Sequence, residues 1–535
     1  MLRIMNDLKK HCLNLSLILF GLIVVSNLIW IVNSFINIQL ADSAIDKSLS
    51  GFLLNIGMIV ILMMVNTVLR YFIQLIQARI KRRQTLRYKS DLSYSILADD
   101  RSNLTNTESG KYVSRYVTDI NVIMTNGYDQ FFLILDAIIS ILISLAGSML
   151  IHWSFGFIFP ISFFLTTIIS RKISPKIQHE SIELSGKREV YIAQLNDLLG
   201  GIMILLRNSN AQYFYNTNRS YSEEYEDHNY RYQISIAKYM NIIILGSIAS
   251  QMIYVIATCF LILKSYIPLS AIVGLFSISN QLFSSGQRLF NSISILQSAI
   301  PLTDKISSQS SQNELSFKES DVAEVSEITL ENVTIGYANK PLLNTLNLKV
   351  KKGRKYALVG DSGVGKSTLV KTIMGEVPVL SGRIRINGKE IRELHQNSIY
   401  GNIGYISQPS YVFNKTVREN ISLNEPFPGS KFSSIVDKVG LTHQLSLDQV
   451  IQDNGKNISG GQKQRLVLAR ELIRDKKVII MDEGINALDS SSRKAIEGLL
   501  FEDPDLTLIY ILHPNSESDL NRFDEVINLN EYALA

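Results

Sequence analysis

"YALVGDSGVGKSTLVKTIMG", residues 356–375, decides how the second half of this chain folds. Its opening five residues are an apolar run suited to a buried strand, and "LVKTIMG" at its end is helix-forming. Between them stands Gly-x-x-x-x-Gly-Lys-Ser, and a strand before it with a helix after it is the context that gives the motif meaning. Gly360, Gly363 and Gly365 let main-chain N–H groups converge on a phosphate without Cβ clashes. Asp361, Ser362, Val364 and Thr368 belong to the same cradle. The helix that follows turns its positive end toward the same point. Lys366 is placed to reach the outer phosphates of a nucleoside triphosphate, and Ser367 to offer its hydroxyl to Mg²⁺.

A second apolar run, "KVIIMDE" at 477–483, ends in two carboxylates. Downstream of a phosphate loop, Asp482 is expected to orient Mg²⁺ through its water shell and Glu483 to polarise an attacking water. Short β-branched runs alternate here with helical ones, the pattern of a three-layer α/β domain. The stretch 306–325 is polar and rich in Ser and Glu and reads as a linker. An α/β P-loop NTPase domain is therefore expected over 326–535, and a different kind of domain over 1–305.

That first domain reads as a membrane unit. Of the 535 residues, 46% are hydrophobic and only 19% charged, a low share for a chain that meets only water. Six apolar runs, 13–36, 52–69, 131–151, 155–170, 241–263 and 271–290, are candidate spans of an all-α transmembrane domain. The run at 155–170 is short and holds Pro160, and only His152, Trp153 and Ser154 part it from the run before, which reads as a tight hairpin at one membrane face. The first run is too long for a cleaved leader, and further spans follow it. Basic residues cluster after the second run (Arg79, Lys81, Arg82, Arg83, Arg87, Lys89) and after the fourth (Arg171, Lys172, Lys176), whereas 37–51 and 264–270 are nearly free of them. This asymmetry places the N-terminus and the P-loop domain in the cytoplasm, with the spans expected in a bacterial plasma membrane. Segments 70–130 and 171–240 are polar and periodic, and are expected to be helices that continue out of the bilayer. Cys12 and Cys259 form neither a metal nor a disulfide motif, and a net charge of +5 is too mild to suggest a nucleic-acid partner.

The phosphate loop, the "KVIIMDE" strand and "NISGGQKQR" at 457–465 together resemble the nucleotide-binding domain of the ABC transporter family. With six spans ahead of it, the whole chain resembles a half-size ABC exporter, by motif in the second half and by layout in the first. The resemblance implies ATP and Mg²⁺ as ligands, and ATP hydrolysis coupled to movement of a substrate across the bilayer. It implies that Tyr337 stacks on adenine, that Gln408 touches Mg²⁺ and senses the membrane domain, and that His513 contacts the γ-phosphate beside Glu483. Residues 486–489, ending in Asp489, match the loop that crosses between two such domains. Ser459, Gly460, Gly461 and Gln462 would lie at a helix N-terminus and cap the γ-phosphate held by another subunit. One loop and one cap per chain imply a homodimer with two ATP sites at its interface, a related partner chain being the alternative. Short contact helices are implied near 99–106 and 207–214. The chain departs from the family pattern at Ile458, where Leu is usual, at Gly484 and Ile485 after the catalytic acid, and at Asn486, where Ser is usual. "QDNGKN" before the signature matches the acidic contact loop only through Asp453 and Gly455.

In the last apolar run Ser277, Gln281, Ser284, Arg288 and Asn291 recur at three- and four-residue spacing and share a helix face, widened by Asn280, Ser285 and Gln287. Such a stripe should face a water-filled cavity or another helix. Asp136 and Arg70 are further charges in or near the spans, and Asp136 with Arg70 or Arg288 is a candidate pair. A polar cavity with charges of both signs suits an amphipathic substrate such as a peptide or peptide-like natural product. A multidrug or lipid exporter is the alternative, and a nucleotide-gated channel or regulator is the reading from another class.

Overall fold

The computed structural model describes residues 2–98, 109–310, 324–337, 340–407, 410–442, 444–482, 490–512 and 520–534. The chain falls into two compact units that part at residues 313/314. Most of the expected linker, 311–323, lies outside the described residues.

The first unit is helical. In chain order it holds α1 (Leu2–His11), α2 (Leu13–Ile45), α3 (Leu49–Ala98), α4 (Gly110–Ile151), α5 (Phe155–Gly200), α6 (Ile202–Arg207), α7 (Ala211–Leu263) and α8 (Ala271–Ser310). A bilayer supplies no water to unpaired main-chain groups, so a chain crossing it as helices satisfies each N–H and C=O internally. Among the described residues five helices, α2, α3, α4, α5 and α7, are long and apolar enough to cross a membrane by length and composition. The sixth expected span lies in α8, which is helical but is not among those five. Its Ser, Asn, Gln and Arg residues dilute the apolar run.

A span needs ~20 residues, yet α3 has 50, α5 has 46 and α7 has 53. Among the described residues the polar segments expected to continue as helices do so over 70–98, 109–130, 171–200 and 211–240, with the short α6 between the last two. α5 runs through Pro160 and Pro175, and α4 contains two π-helical stretches, Arg115–Asp119 and Ile123–Asp129. The turn between α4 and α5 is the expected hairpin, closed by the Phe155 N–H on His152 O and by a 2.7 Å contact between His152 Nδ1 and Ser154 Oγ. The short amphipathic α1 was not anticipated. Its Ile4 and Leu8 are buried one turn apart, and Asp7 accepts from Arg87 and from the Tyr88 hydroxyl, both at 3.1 Å.

Among its described residues the second unit has two sheets. β1 (Glu327–Tyr337), β2 (Lys340–Lys351), β4 (Ser381–Ile386) and β5 (Lys389–Glu390) form an antiparallel sheet in the order β2-β1-β4-β5. β3 (Lys355–Val359), β6 (Ile403–Ile406), β7 (Val478–Asp482), β8 (Thr507–Ile511) and β9 (Glu525–Asn528) form a parallel sheet in the order β6-β7-β8-β3-β9. The helices of this unit are α9 (Lys366–Ile373), α10 (Gln396–Asn402), α11 (Val417–Ser422), α12 (Gly429–Lys438), α13 (Gly460–Leu472) and α14 (Ser490–Phe501).

A parallel sheet is covered on both faces, and this one divides its side chains between two cores. Tyr356 and Leu358 of β3, Val478 and Ile480 of β7, and Ile509 and Ile511 of β8 join the core shared with the antiparallel sheet and α9. Ala357, Ile479, Met481, Leu508 and Tyr510, from the alternate positions, join the core under α11, α12 and α13. Ile480 is fully buried in the middle of this sheet. Ile480→Ala should therefore cost roughly 2–5 kcal/mol, read as a lowered melting temperature of the detergent-solubilised chain. An exposed position such as Leu423→Ala should shift it far less.

Candidate nucleotide site

The parallel register brings the working ends of the strands level. Leu358 of β3 and Asp482 of β7 both pair with Ile511 of β8, and Ile406 of β6 pairs with Met481. Ligands of open α/β sheets collect at such carboxyl ends.

From Val359 the chain turns at once through residues 360–365 into α9. Gly365 precedes the first turn with φ +116°, and Gly363 has φ +87°, conformations that a Cβ penalises. A Cβ on Gly365 would meet Leu342 and Leu343 of β2 at 3.4 Å, whereas one on Gly363 would meet nothing within 4 Å, so the loop is packed beneath and open above. Val364 packs on the core and Thr368 is buried, while Asp361 and Ser362 are exposed. Asn530, a residue sequence reasoning missed, accepts from the Asp361 N–H at 2.9 Å and steadies the loop from outside the motif. Lys366 is only 7% exposed, and its Nζ donates to Gly360 O and Asp361 O at 2.7 and 3.0 Å. Among the described residues these partners are neutral carbonyls. A nearly buried ammonium beside a ring of main-chain N–H groups is a setting that an anion completes.

Ser367 Oγ donates to Asp482 Oδ2 at 3.0 Å, although the two residues are 115 positions apart. The same Oδ2 accepts from the Tyr405 hydroxyl at 3.1 Å. Burial, with the Asp482 carboxylate beside it, pushes the Tyr405 phenol well above the ordinary range, so it stays protonated and donates. The hydroxyl of Ser367 and the carboxylate of Asp482 are hard oxygen donors. They fit Mg²⁺, which binds through one or two carboxylates together with substrate phosphates. Among the described residues no cluster of three or more His, Cys, Asp or Glu offers a rival metal site.

Tyr337 closes β1 opposite Lys340 with its ring 49% exposed, free to stack on a base. Gln408, Glu483, Asp489 and His513 lie outside the described residues. The ends of β6, β7 and β8 lead directly to Gln408, Glu483 and His513.

The signature stretch forms the start of α13. Ser459 Oγ accepts from the Gln462 N–H at 3.2 Å, and Gln462 Oε1 accepts from the Ser459 N–H at 2.9 Å, a complete capping box. The side chain of Gln462 is thus engaged locally. The hydroxyl proton of Ser459 and the first N–H groups of the helix, at Gly460 and Gly461, have no intrahelical acceptor. Behind them Arg470 donates to Asn420 O, Asn420 Oδ1 and Tyr411 O at 2.8, 3.2 and 3.0 Å, tying α13 to the segment that follows β6.

In the helical unit the polar stripe divides. Ser277 meets Ser34 at 3.1 Å, while Gln281 and Ser285 both donate to Ser140, at 2.7 and 2.9 Å. These members serve contacts between helices, and Ser284 and Asn291 are exposed. The expected pairing of Asp136 with Arg70 or Arg288 is not formed. Asp136 accepts from Asn27 at 3.0 Å, Arg288 donates to Ser285 at 2.7 Å, and Arg70 is exposed on α3. A neutral amide on the neighbouring helix satisfies the carboxylate without desolvating a guanidinium beside it. Of the two expected contact segments, 99–106 lies outside the described residues. Near 207–214 the short helix is α6, ending at Arg207, and Asn210 caps α7 by accepting from the Tyr213 N–H.

These features define a P-loop ATPase domain of the ABC type joined to a bundle of membrane helices. The family of ABC transporter transmembrane regions matches residues 16–285, half of the chain, and the ABC transporter family matches residues 343–486. The chain belongs to the ABC transporter family, with the transmembrane region and the ATPase domain fused. A probable ABC transporter ATP-binding/permease protein of Haemophilus influenzae is 33% identical over 281 residues, covering 50% of this chain and 47% of the relative. An ATP-dependent lipid A-core flippase of Escherichia coli is 34% identical over 212 residues, 38% of this chain and 36% of the relative. The matches thus span about half or less of each curated relative. The structure of a bacterial Atm1-family ABC exporter with ATP bound superposes with a TM-score of 0.82 over 99% of this chain and 94% of that one, at 18% identity. That likeness establishes the fold.

The capping box gives a direct test. Ser459→Ala should destabilise α13 by about 1 kcal/mol and Ser459→Gly by only a few tenths, measured by urea unfolding of the solubilised chain.

Proposed function

We propose that this protein is an ATP-driven exporter that works as a homodimer, with two ATP sites at the interface between its nucleotide-binding domains. The observation that carries the reading is the buried Lys366 within the glycine loop together with the Ser367–Asp482 hydrogen bond at its rim. The loop amides and Lys366 bind and orient the triphosphate, and Tyr337 holds the base. Mg²⁺ bound at Ser367 and Asp482, with Gln408 in its shell, would neutralise phosphate charge. Glu483 takes the proton of the attacking water, and His513 holds the γ-phosphate in line. The dimer follows from the economy of the chain: it has one phosphate loop, and its one capping helix end, Ser459 to Gly461, belongs over a partner's loop. The spans cross the membrane with the N-terminus and the ATPase domain on the cytoplasmic side.

For the substrate we favour a peptide or peptide-like product. The support is the exposed Ser284 and Asn291 on α8 and charges of both signs in the helical unit. A lipid is the second reading, favoured by the flippase among the relatives. The reconstituted homodimer distinguishes them: peptide-stimulated ATPase supports the first, and dependence on particular lipids supports the second.

A general base typically contributes ~10²–10⁴-fold, so Glu483→Gln should still bind ATP and hydrolyse it at least ~10²-fold more slowly. Wild-type turnover in that variant would remove Glu483 from the mechanism. Arg288→Ala should alter substrate-stimulated ATPase while leaving basal ATPase in place. An unchanged response would make the stripe a helix-packing feature only.

A further inference from the structure

Asp482 is held from two sides through one oxygen. Ser367 approaches Oδ2 from the open rim of the loop at 3.0 Å, and Tyr405 approaches it from the partly buried side at 3.1 Å. Both bonds use Oδ2, which leaves Oδ1 as an acceptor among the described residues. The donors differ in freedom. Ser367 is exposed, on a short side chain in the first turn of α9. The Tyr405 ring is partly buried and packed against the core between the sheets. Tyr405 stands opposite Ile480 in the β6–β7 ladder, so its hydroxyl reaches along β7 to the carboxylate two residues on. The backbone register and the ring packing together set where the phenol lies, and the phenol sets where the carboxylate lies.

We propose that Tyr405 is a positioning residue for the metal site, fixing the Asp482 carboxylate so that its remaining lone pairs meet a magnesium ion and its water in one orientation. The inference rests on the reading of the Ser367–Asp482 rim as a magnesium–nucleotide site. Its physical basis is the difference between the two donors. A serine that lends a lone pair to a cation can keep its proton on Asp482 only if the carboxylate stays still. An aromatic ring packed against a core and fixed in the β6–β7 ladder holds it, whereas an exposed serine alone leaves its torsions free. Partners that orient metal-binding groups typically change metal affinity about 10–100-fold when removed. Tyr405→Phe removes the hydroxyl and retains the ring that fills the core.

The experiment measures binding of a fluorescent trinitrophenyl ATP analogue to the full chain in detergent, with Mg²⁺ titrated from an EDTA baseline. Wild type, Tyr405→Phe, Asp482→Asn and the double variant are compared. Tyr405→Phe should raise the half-saturating Mg²⁺ concentration about 10-fold or more, leave analogue affinity in EDTA unchanged, and add nothing in the Asp482→Asn background. A wild-type Mg²⁺ profile in Tyr405→Phe overturns the proposal and leaves the site reading standing. So does a shift that persists in full in the Asp482→Asn background, or an equal loss of binding in EDTA. A wild-type protein whose analogue binding ignores Mg²⁺ overturns the site reading and this proposal with it.

Discussion

The parallel register of β3, β8 and β7 is the constraint on which the nucleotide site depends. Because Leu358 and Asp482 are both level with Ile511, the phosphate loop and the acidic strand end open on the same edge of one sheet. Strands β3 and β7 are separated by β8, roughly 10 Å apart at the usual strand spacing. The loop and the first turn of α9 close that gap, and the Ser367–Asp482 hydrogen bond is where they meet. A slip of one residue in any of these ladders would invert every side chain between the two cores. The same burial pattern that stabilises the sheet therefore fixes the chemistry at its edge.

The helical unit solves a different problem. Lipid-facing surface can be apolar throughout, so helices find their neighbours through small and polar side chains. Ser34 with Ser277, Ser140 with Gln281 and Ser285, and Asn27 with Asp136 are the contacts that pin α2, α4 and α8 to one another. These bonds use up part of the stripe, which periodicity alone left open between a cavity and a neighbouring helix. Where a polar residue in a span points is decided by which helix stands next to it, and spacing along one helix carries no such information.

The capping helix α13 shows how one local device can serve two ends. Ser459 and Gln462 satisfy each other's main-chain partners, which fixes the first turn without any help from a ligand. The remaining N–H groups are then pre-aimed, which suits the capping of a partner's γ-phosphate proposed above. Arg470, further along the same helix, anchors it to the segment after β6. The capping helix and the segment from Tyr411 to Asn420 thus belong to one hydrogen-bonded frame.

The fold class, the phosphate loop and the long helices were legible in the sequence because each rests on local pattern. Glycines at fixed offsets, a β-branched run and twenty apolar residues mean the same thing wherever they occur. Tyr405, Asn530 and Asn27 were not legible, since each acts through a partner 77, 169 or 109 positions away and none sits in a motif. Tyr405 had one available signal, its place in the strand that leads to Gln408. The sequence by itself determined that this chain joins membrane helices to an ABC-type ATPase, because periodicity and backbone conformation are set within a few residues. Only the tertiary structure decided which oxygen of Asp482 is held, what satisfies Asp136, and which polar residues of α8 face a neighbour. Those outcomes depend on strand order and helix packing, which bring distant residues within hydrogen-bond reach.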